Sequence, residues 1–168
     1  MSELQRLRLD HAPALFAFEQ ENRAYFAASI PDRGDDYFTH FDVRHNNLLD
    51  EQTAGLSFFH VLVESGGEVL GRVNLIDVAD GSAELGYRIA EKAANQGLAT
   101  TAVHQICALA AADHGLTTLR AATTLDNAAS RAVLARTGFV PTGEILLGDL
   151  PGISYVRNLS EVLEAAAR

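Results

Sequence analysis

The sequence is poor in cysteine, tryptophan and methionine, and short of positive charge. Its one cysteine, Cys107, has no partner in the chain, so neither an internal disulfide nor a thiolate zinc site can form. No apolar run approaches the ~18–20 residues of a membrane span. The opening Met1-Ser2-Glu3-Leu4-Gln5-Arg6 also lacks the apolar stretch and small-residue cleavage site of a signal peptide. A cytosolic location without membrane contact is expected. Lys and Arg number 13 against 22 Asp and Glu, a net charge of −9, so the surface field repels nucleic acid and favours cationic partners. The histidines, His11, His40, His45, His60, His104 and His114, show no His-Glu-x-x-His spacing and sit in no cysteine–histidine cluster. No metal is expected. The Gly-x-Ser-x-Gly elbow, the Walker loop and the Gly-x-Gly-x-x-Gly fingerprint are absent too, which counts against a hydrolase, a nucleotidase or a dinucleotide enzyme.

What is present is enough apolar residue to bury a core. With 168 residues, 48% hydrophobic and 21% charged, the chain fits one domain over 1–168. Charged and apolar residues alternate from Arg6 to Leu9, as in a short strand with one wet face. Ala12 to Ala28 places Leu15, Phe16, Phe18, Tyr25 and Phe26 at helical spacing and stops before Pro31, and a second helix is expected from Asp36 to Gln52, ended by Gly55. Leu56–Glu64 and Val69–Val78 flank Gly66-Gly67 as a hairpin, and Asp80-Gly81 turns into a further strand, Ala83–Ile89. Gly97 to His114 is rich in Ala, Leu, Ile and Val without proline, which predicts a long helix stopped by Gly115. A strand over Thr117–Leu125, a helix capped by Asp126-Asn127 and stopped by Gly138, and strands over Phe139–Leu147 and Ile153–Leu159 complete the order. Ser160 is placed to cap a short Ala-rich terminal helix. The expected fold is α/β (α+β): a mixed sheet covered by helices.

Asn95-Gln96-Gly97-Leu98-Ala99-Thr100 joins a strand to the long helix, where the first backbone N–H groups have no helical acceptor. Small residues at 97 and 99 keep bulk off the backbone, so a pyrophosphate can approach the helix's positive end. Taken alone, the segment reads equally as an ordinary strand-to-helix turn. Downstream lies Leu125-Asp126-Asn127-Ala128-Ala129-Ser130, followed by Arg131 to Arg136 and Thr137-Gly138-Phe139. With both motifs at this spacing, the sequence resembles the GNAT acetyltransferases, especially the Rim-type branch that acetylates ribosomal-protein N-termini. The resemblance runs across most of Gly55 to Val156 and is strongest from Ala83 to Phe139; the N-terminal helices match only in placement.

That resemblance implies a largely antiparallel central sheet flanked by helices, acetyl-CoA as cosubstrate, and an Asn-x-x-Ser helix beside the pantetheine arm. It assigns Ile89, Asn95, Gln96, Gly97, Leu98, Ala99, Thr100, Asn127 and Ser130 to the cofactor. Ala94 stands where many members carry Gln or Arg at the start of the phosphate motif.

Acetyl transfer needs a neutral amine, a group to take its proton and a donor to the leaving thiolate. An α-amine of pKa ~7.7–8.0 is already partly neutral at pH 7, whereas a lysine at ~10.4 costs roughly 4–5 kcal/mol to deprotonate. Glu84, on the strand before the phosphate turn, is the first candidate base, directly or through water; its alternative is an exposed strand carboxylate. Asp149 is the rival, by resemblance to the Rim-type branch. The resemblance places the Ser130 hydroxyl near the cofactor's sulfur, where it can serve the thiolate, or else it contacts backbone in the first helical turn. Tyr87 is a second proton donor or a packing residue, and Cys107 reads as core. His60 lines the acceptor pocket or sits hydrogen-bonded in the core.

The acceptor implied is a peptide or protein N-terminal amine, in a groove made by the first two helices and the last strand pair. Polyamines, aminoglycosides and lysine side chains stand second, with Asp42, Asp50 and Glu51 as residues that would read positive charge. A non-catalytic acetyl-CoA-binding module is the further alternative, and a homodimer is compatible with each.

Overall fold

The computed structural model describes residues 1–160 and residue 162, so the helix expected beyond Ser160 lies almost wholly outside the described residues. Seven strands, β1 (Glu3–Arg6), β2 (Phe58–Val63), β3 (Val69–Ala79), β4 (Ser82–Ile89), β5 (Thr118–Thr124), β6 (Val140–Leu147) and β7 (Leu150–Asn158), form one sheet in the order β1-β2-β3-β4-β5-β7-β6. Every neighbouring pair is antiparallel except β4–β5. The sheet is mixed and largely antiparallel, with helices on both faces, as expected.

Residue alternation along each strand divides the core in two. On one face, helices α5 (Leu98–Ala112) and α6 (Ala128–Arg136) bury Val103, Ile106, Cys107, Ala110 and Leu134 against Leu75, Leu85, Leu119 and Tyr155. On the other, α1 (Ala12–Glu21), α2 (Arg23–Ala27), α3 (Asp35–Thr39) and α4 (Phe41–Thr53) pack Leu15, Phe18, Phe26, Tyr37 and Phe41 against Phe59 and Val61. Strand β4 therefore sends Ala83, Leu85, Tyr87 and Ile89 toward α5, and Glu84, Gly86 and Arg88 toward α1.

Several boundaries differ from the sequence expectation. The first strand is Glu3–Arg6 rather than Arg6–Leu9, because pairing with β2 fixes its register and the Arg8 N–H turns aside to donate to His11 Nδ1 at 2.9 Å. The helix expected over Ala12–Ala28 breaks at Asn22, whose Nδ2 donates to the Phe18 carbonyl at 2.8 Å while its Oδ1 accepts from the Glu91 N–H at 3.0 Å. The helix expected over Asp36–Gln52 breaks at His40 (φ −108°, ψ 27°), separating α3 from α4. The last strand begins at Leu150, not Ile153, since Leu147 pairs with Leu150 across the two-residue turn Gly148-Asp149.

One feature of the topology makes room for a ligand. Strands β4 and β5 pair only from Ser82↔Thr118 to Glu84↔Arg120. Beyond that point β4 stays with β3 as far as Ile89↔Gly71, and β5 stays with β7 as far as Thr124↔Gly152. Each strand is held on its outer side while the two part on their inner sides, and the sheet opens into a V.

Candidate active site

The V is the floor of a cleft of about 940 Å³. Its walls are the parted ends of β4 and β5, the turn into α5, the inward side of α6, the segment from Tyr25 to Pro31, and the β6–β7 hairpin. The groove expected from the N-terminal helices and the last strand pair thus opens into the same space as the two motifs.

At one end, Gly97 precedes α5 with φ +74° and gives no side-chain cap, so the N–H groups of Leu98, Ala99 and Thr100 begin the helix without a capping acceptor. A Cβ at Gly97 would meet nothing within 4 Å. Backbone conformation, and not crowding inside the protein, is what calls for glycine there. A helix of 15 residues places the positive end of its dipole at this spot, an arrangement that suits phosphate oxygens. Arg136, at the end of α6, adds positive charge to the cleft wall.

Asn127 caps α6: its Oδ1 accepts from the Ser130 N–H at 3.1 Å. The cap sets the first turn so that Ser130 faces β4, where the Tyr87 hydroxyl donates to Ser130 Oγ at 3.3 Å. Burial pushes the Tyr87 phenol above its usual range, only partly offset by the bond to Ser130, so it stays protonated. Gly138 (φ +86°) ends the helix, and a Cβ there would fall 2.8 Å from Arg157 Nε.

Of the residues assigned to the cofactor, Ile89, Asn95, Gly97, Leu98, Ala99, Thr100, Asn127 and Ser130 all line the cleft. Gln96 does not; its side-chain amide turns away to donate to the Lys92 carbonyl at 3.1 Å. Neither candidate base is part of the wall. Glu84 is half-buried at the point where β4 and β5 part, one residue before Leu85, the first cleft residue of β4. Asp149 is exposed at the hairpin tip between Gly148 and Leu150, both of which line the cleft. His60 is buried away from the cleft, with Nδ1 lacking a hydrogen-bond partner among the described residues. Cys107 is buried in the α5 core, and burial pushes its thiol up to about 11.

Sequence reasoning missed Arg88. It lines the cleft on the face opposite Tyr87, while its Nη1 donates to both oxygens of Glu19 at 3.3 Å. Among the described residues, no Asp or Glu side chain lines the cleft, and its charged members are Arg88 and Arg136. Asp42, Asp50 and Glu51, the expected readers of positive charge, stand exposed on α4 outside it.

Comparison with known proteins adds the family. The model of the acetyltransferase (GNAT) domain matches residues 3–140. Among solved structures, the ribosomal-protein-S5-alanine acetyltransferase from Vibrio fischeri superposes with a TM-score of 0.89 at 20% identity, covering 95% of this chain and 94% of that one. RimJ from Mycobacterium smegmatis, in complex with CoA-disulfide, gives 0.82 at 23% identity, covering 99% and 90%. A chimera of spermidine N-acetyltransferase SpeG from Vibrio cholerae and hSSAT gives 0.80 at 16% identity, covering 96% and 98%. At these identities the likeness is one of fold. No curated protein sequence matches the chain.

Proposed function

The chain belongs to the GNAT acetyltransferase family, and from that premise we propose that residues 1–168 act as one domain moving the acetyl group of acetyl-CoA to a peptide or protein N-terminal α-amine. The observation that carries this reading is the V between β4 and β5 beside the uncapped start of α5. It offers an extended arm two strand edges to bond with and offers its phosphates free N–H groups. Acetyl-CoA would supply an acyl carbon activated as a thioester.

In this reading the chain's own groups have separate tasks. The amides of residues 97–100 hold phosphate, and Asn127 orders the first turn of α6 while its amide N–H groups remain available to the ligand. Ser130, whose oxygen accepts from Tyr87, keeps its own proton to give to the departing thiolate, and Tyr87 can replace it. The incoming amine loses its proton through water to Glu84, with Asp149 as the rival. An α-amine suits so weak a base arrangement, because its pKa of ~7.7–8.0 leaves part of it neutral at pH 7.

Polyamines stand second, since no acidic side chain among the described residues lines the cleft to receive them. A cytosolic site of action is part of this proposal. Among the described residues no helix is long and apolar enough to cross a membrane. The deciding experiment is thiol release from acetyl-CoA against short peptides with free N-termini, ribosomal proteins, polyamines and aminoglycosides. Turnover of small amines with every peptide inert would overturn the acceptor assignment, and acetyl-CoA binding without turnover of any amine would point to a non-catalytic module.

A further inference from the structure

Glu19 lies on α1 with its side chain only 1% exposed, and three guanidiniums converge on it. Arg33 Nε donates to its Oε2 at 2.7 Å, Arg88 Nη1 donates to both oxygens at 3.3 Å, and Arg72 Nη1 stands 3.7 Å from Oε1 while donating to the Tyr37 hydroxyl at 3.0 Å. One negative charge thus serves three positive ones. The nearby Arg23 contributes no further surplus, because Asp32 and Asp35 both pair with it.

Holding excess like charge away from water is costly, and the cost falls when an anion joins the cluster. Arg88 is the member that reaches the cleft; its side chain is 18% exposed, and the Phe26 ring covers one face of the guanidinium at 4.6 Å. Burial and the neighbouring Arg33 and Arg72 lower its affinity for its proton, while Glu19 opposes them. A guanidinium has five N–H donors. Among the described residues only Nη1 is engaged in a hydrogen bond, so the rest of the fork is available to a ligand.

The cosubstrate is not the natural source of that anion. Its phosphates belong at the start of α5, and Arg88 points to the opposite face of β4 from Tyr87 and Ile89, which pack toward α5. Arg88 instead shares its wall with Tyr25, Phe26 and Ile30, on the side left for the acceptor.

We propose that the acceptor carries a carboxylate close to its amine, and that Arg88 binds that carboxylate as a specificity-determining residue. The inference rests on the transfer reading above and narrows its substrate class. Two sources share the chemistry: an acidic side chain within the first residues of a peptide, and the α-carboxylate of a free amino acid.

The test is equilibrium titration of the full chain, in the presence of CoA, with matched pairs. One arm compares tripeptides bearing Glu at position 2 or 3 with the same peptides bearing Gln; the other compares free amino acids with their amides. In one arm the carboxylate partner should bind about 10–100-fold more tightly, the range for a hydrogen-bonded charge. Arg88→Gln should bring that ratio close to one and Arg88→Lys should restore part of it, with CoA affinity unchanged in both. A purely structural role for Arg88 would weaken both members of a pair alike and leave the ratio intact. Equal binding within every pair on the unaltered protein overturns the proposal with no variant needed, as does a preference that survives Arg88→Gln. Preference without thiol release would sink the transfer reading and keep the carboxylate site; release without preference would do the reverse.

Discussion

The Ser130 hydroxyl receives a hydrogen bond from Tyr87 and is aligned from behind by its own N–H, which Asn127 holds. If it serves the thiolate, Ser130→Ala slows turnover by about 10–1000-fold, on the scale of a lost acid or oxyanion donor, while acetyl-CoA affinity changes little. Tyr87→Phe should cost less, and the double variant less than the product of the two, because both act on one proton path. Steady-state kcat with saturating acetyl-CoA is the check; a normal rate in Ser130→Ala removes the residue from the chemistry. Cys107 bears on the same assay. Buried and pushed up to about 11, its thiol should stay silent to disulfide reagents at pH 8 in the folded protein and react once per chain after denaturation, so colour from the native enzyme reports CoA alone. The Asn127 cap was legible in the sequence because capping is local and a few residues suffice to suggest it, whereas Ser130 was picked out by the family resemblance. Arg88 was not. A charged residue is unremarkable at one position of an alternating strand, and its partner Glu19 lies 69 residues away in sequence.

At the scale of elements, the start of α5 joins a conformational demand to a ligand demand at one residue. Gly97→Val puts a β-branched residue at φ +74° and fills the open space in front of the helix amides. Calorimetric titration should show acetyl-CoA affinity reduced at least about tenfold; unchanged affinity in a folded variant would contradict the phosphate site. Asn127→Ala removes the cap of α6 and should lower stability by about 1 kcal/mol, whereas Asn127→Asp keeps the oxygen and most of the stability. The long helix and the first two hairpins were readable from a proline-free run of Ala, Leu, Ile and Val and from the turn pairs Gly66-Gly67 and Asp80-Gly81, because those signals are complete within a short segment. The breaks at Asn22 and His40 were hidden for the opposite reason. Asn22 interrupts its helix while bonding Glu91 in a distant connection, and nothing near position 22 announces that bond. The parting of β4 from β5 is likewise visible only in the tertiary pairing, where each strand keeps its outer partner, β3 or β7, past the point at which the two separate.

Across the whole molecule, charge and titration have different geographies. A net charge of −9 coexists with a cleft whose charged wall residues, among those described, are arginines, so the overall charge and the charge of the cleft wall differ in sign. A source of acid sensitivity lies away from the cleft, toward the C-terminal end of α5. His60 on β2 is buried next to His114, which stacks on Phe58, with Arg6 and Asp113 close by. Burial first, and then the charges of His114 and Arg6, push the His60 imidazole from 6.5 down to about 4. His11 and His114 shift in the same direction through burial. For a base with a depressed folded pKa, the unfolded chain takes up the proton first as pH falls. The stability that neutral His60 contributes is therefore fully present above pH 6.5 and lost progressively down to about pH 4. The shift corresponds to about 3 kcal/mol, a large share of the 5–15 kcal/mol typical of a domain. Urea unfolding at steps of pH should show stability falling through this window, and His60→Gln, which cannot take up a proton, should flatten that slope even though it lowers stability at pH 7. A slope unchanged by the substitution would move the acid response to His11, His114 or the carboxylates.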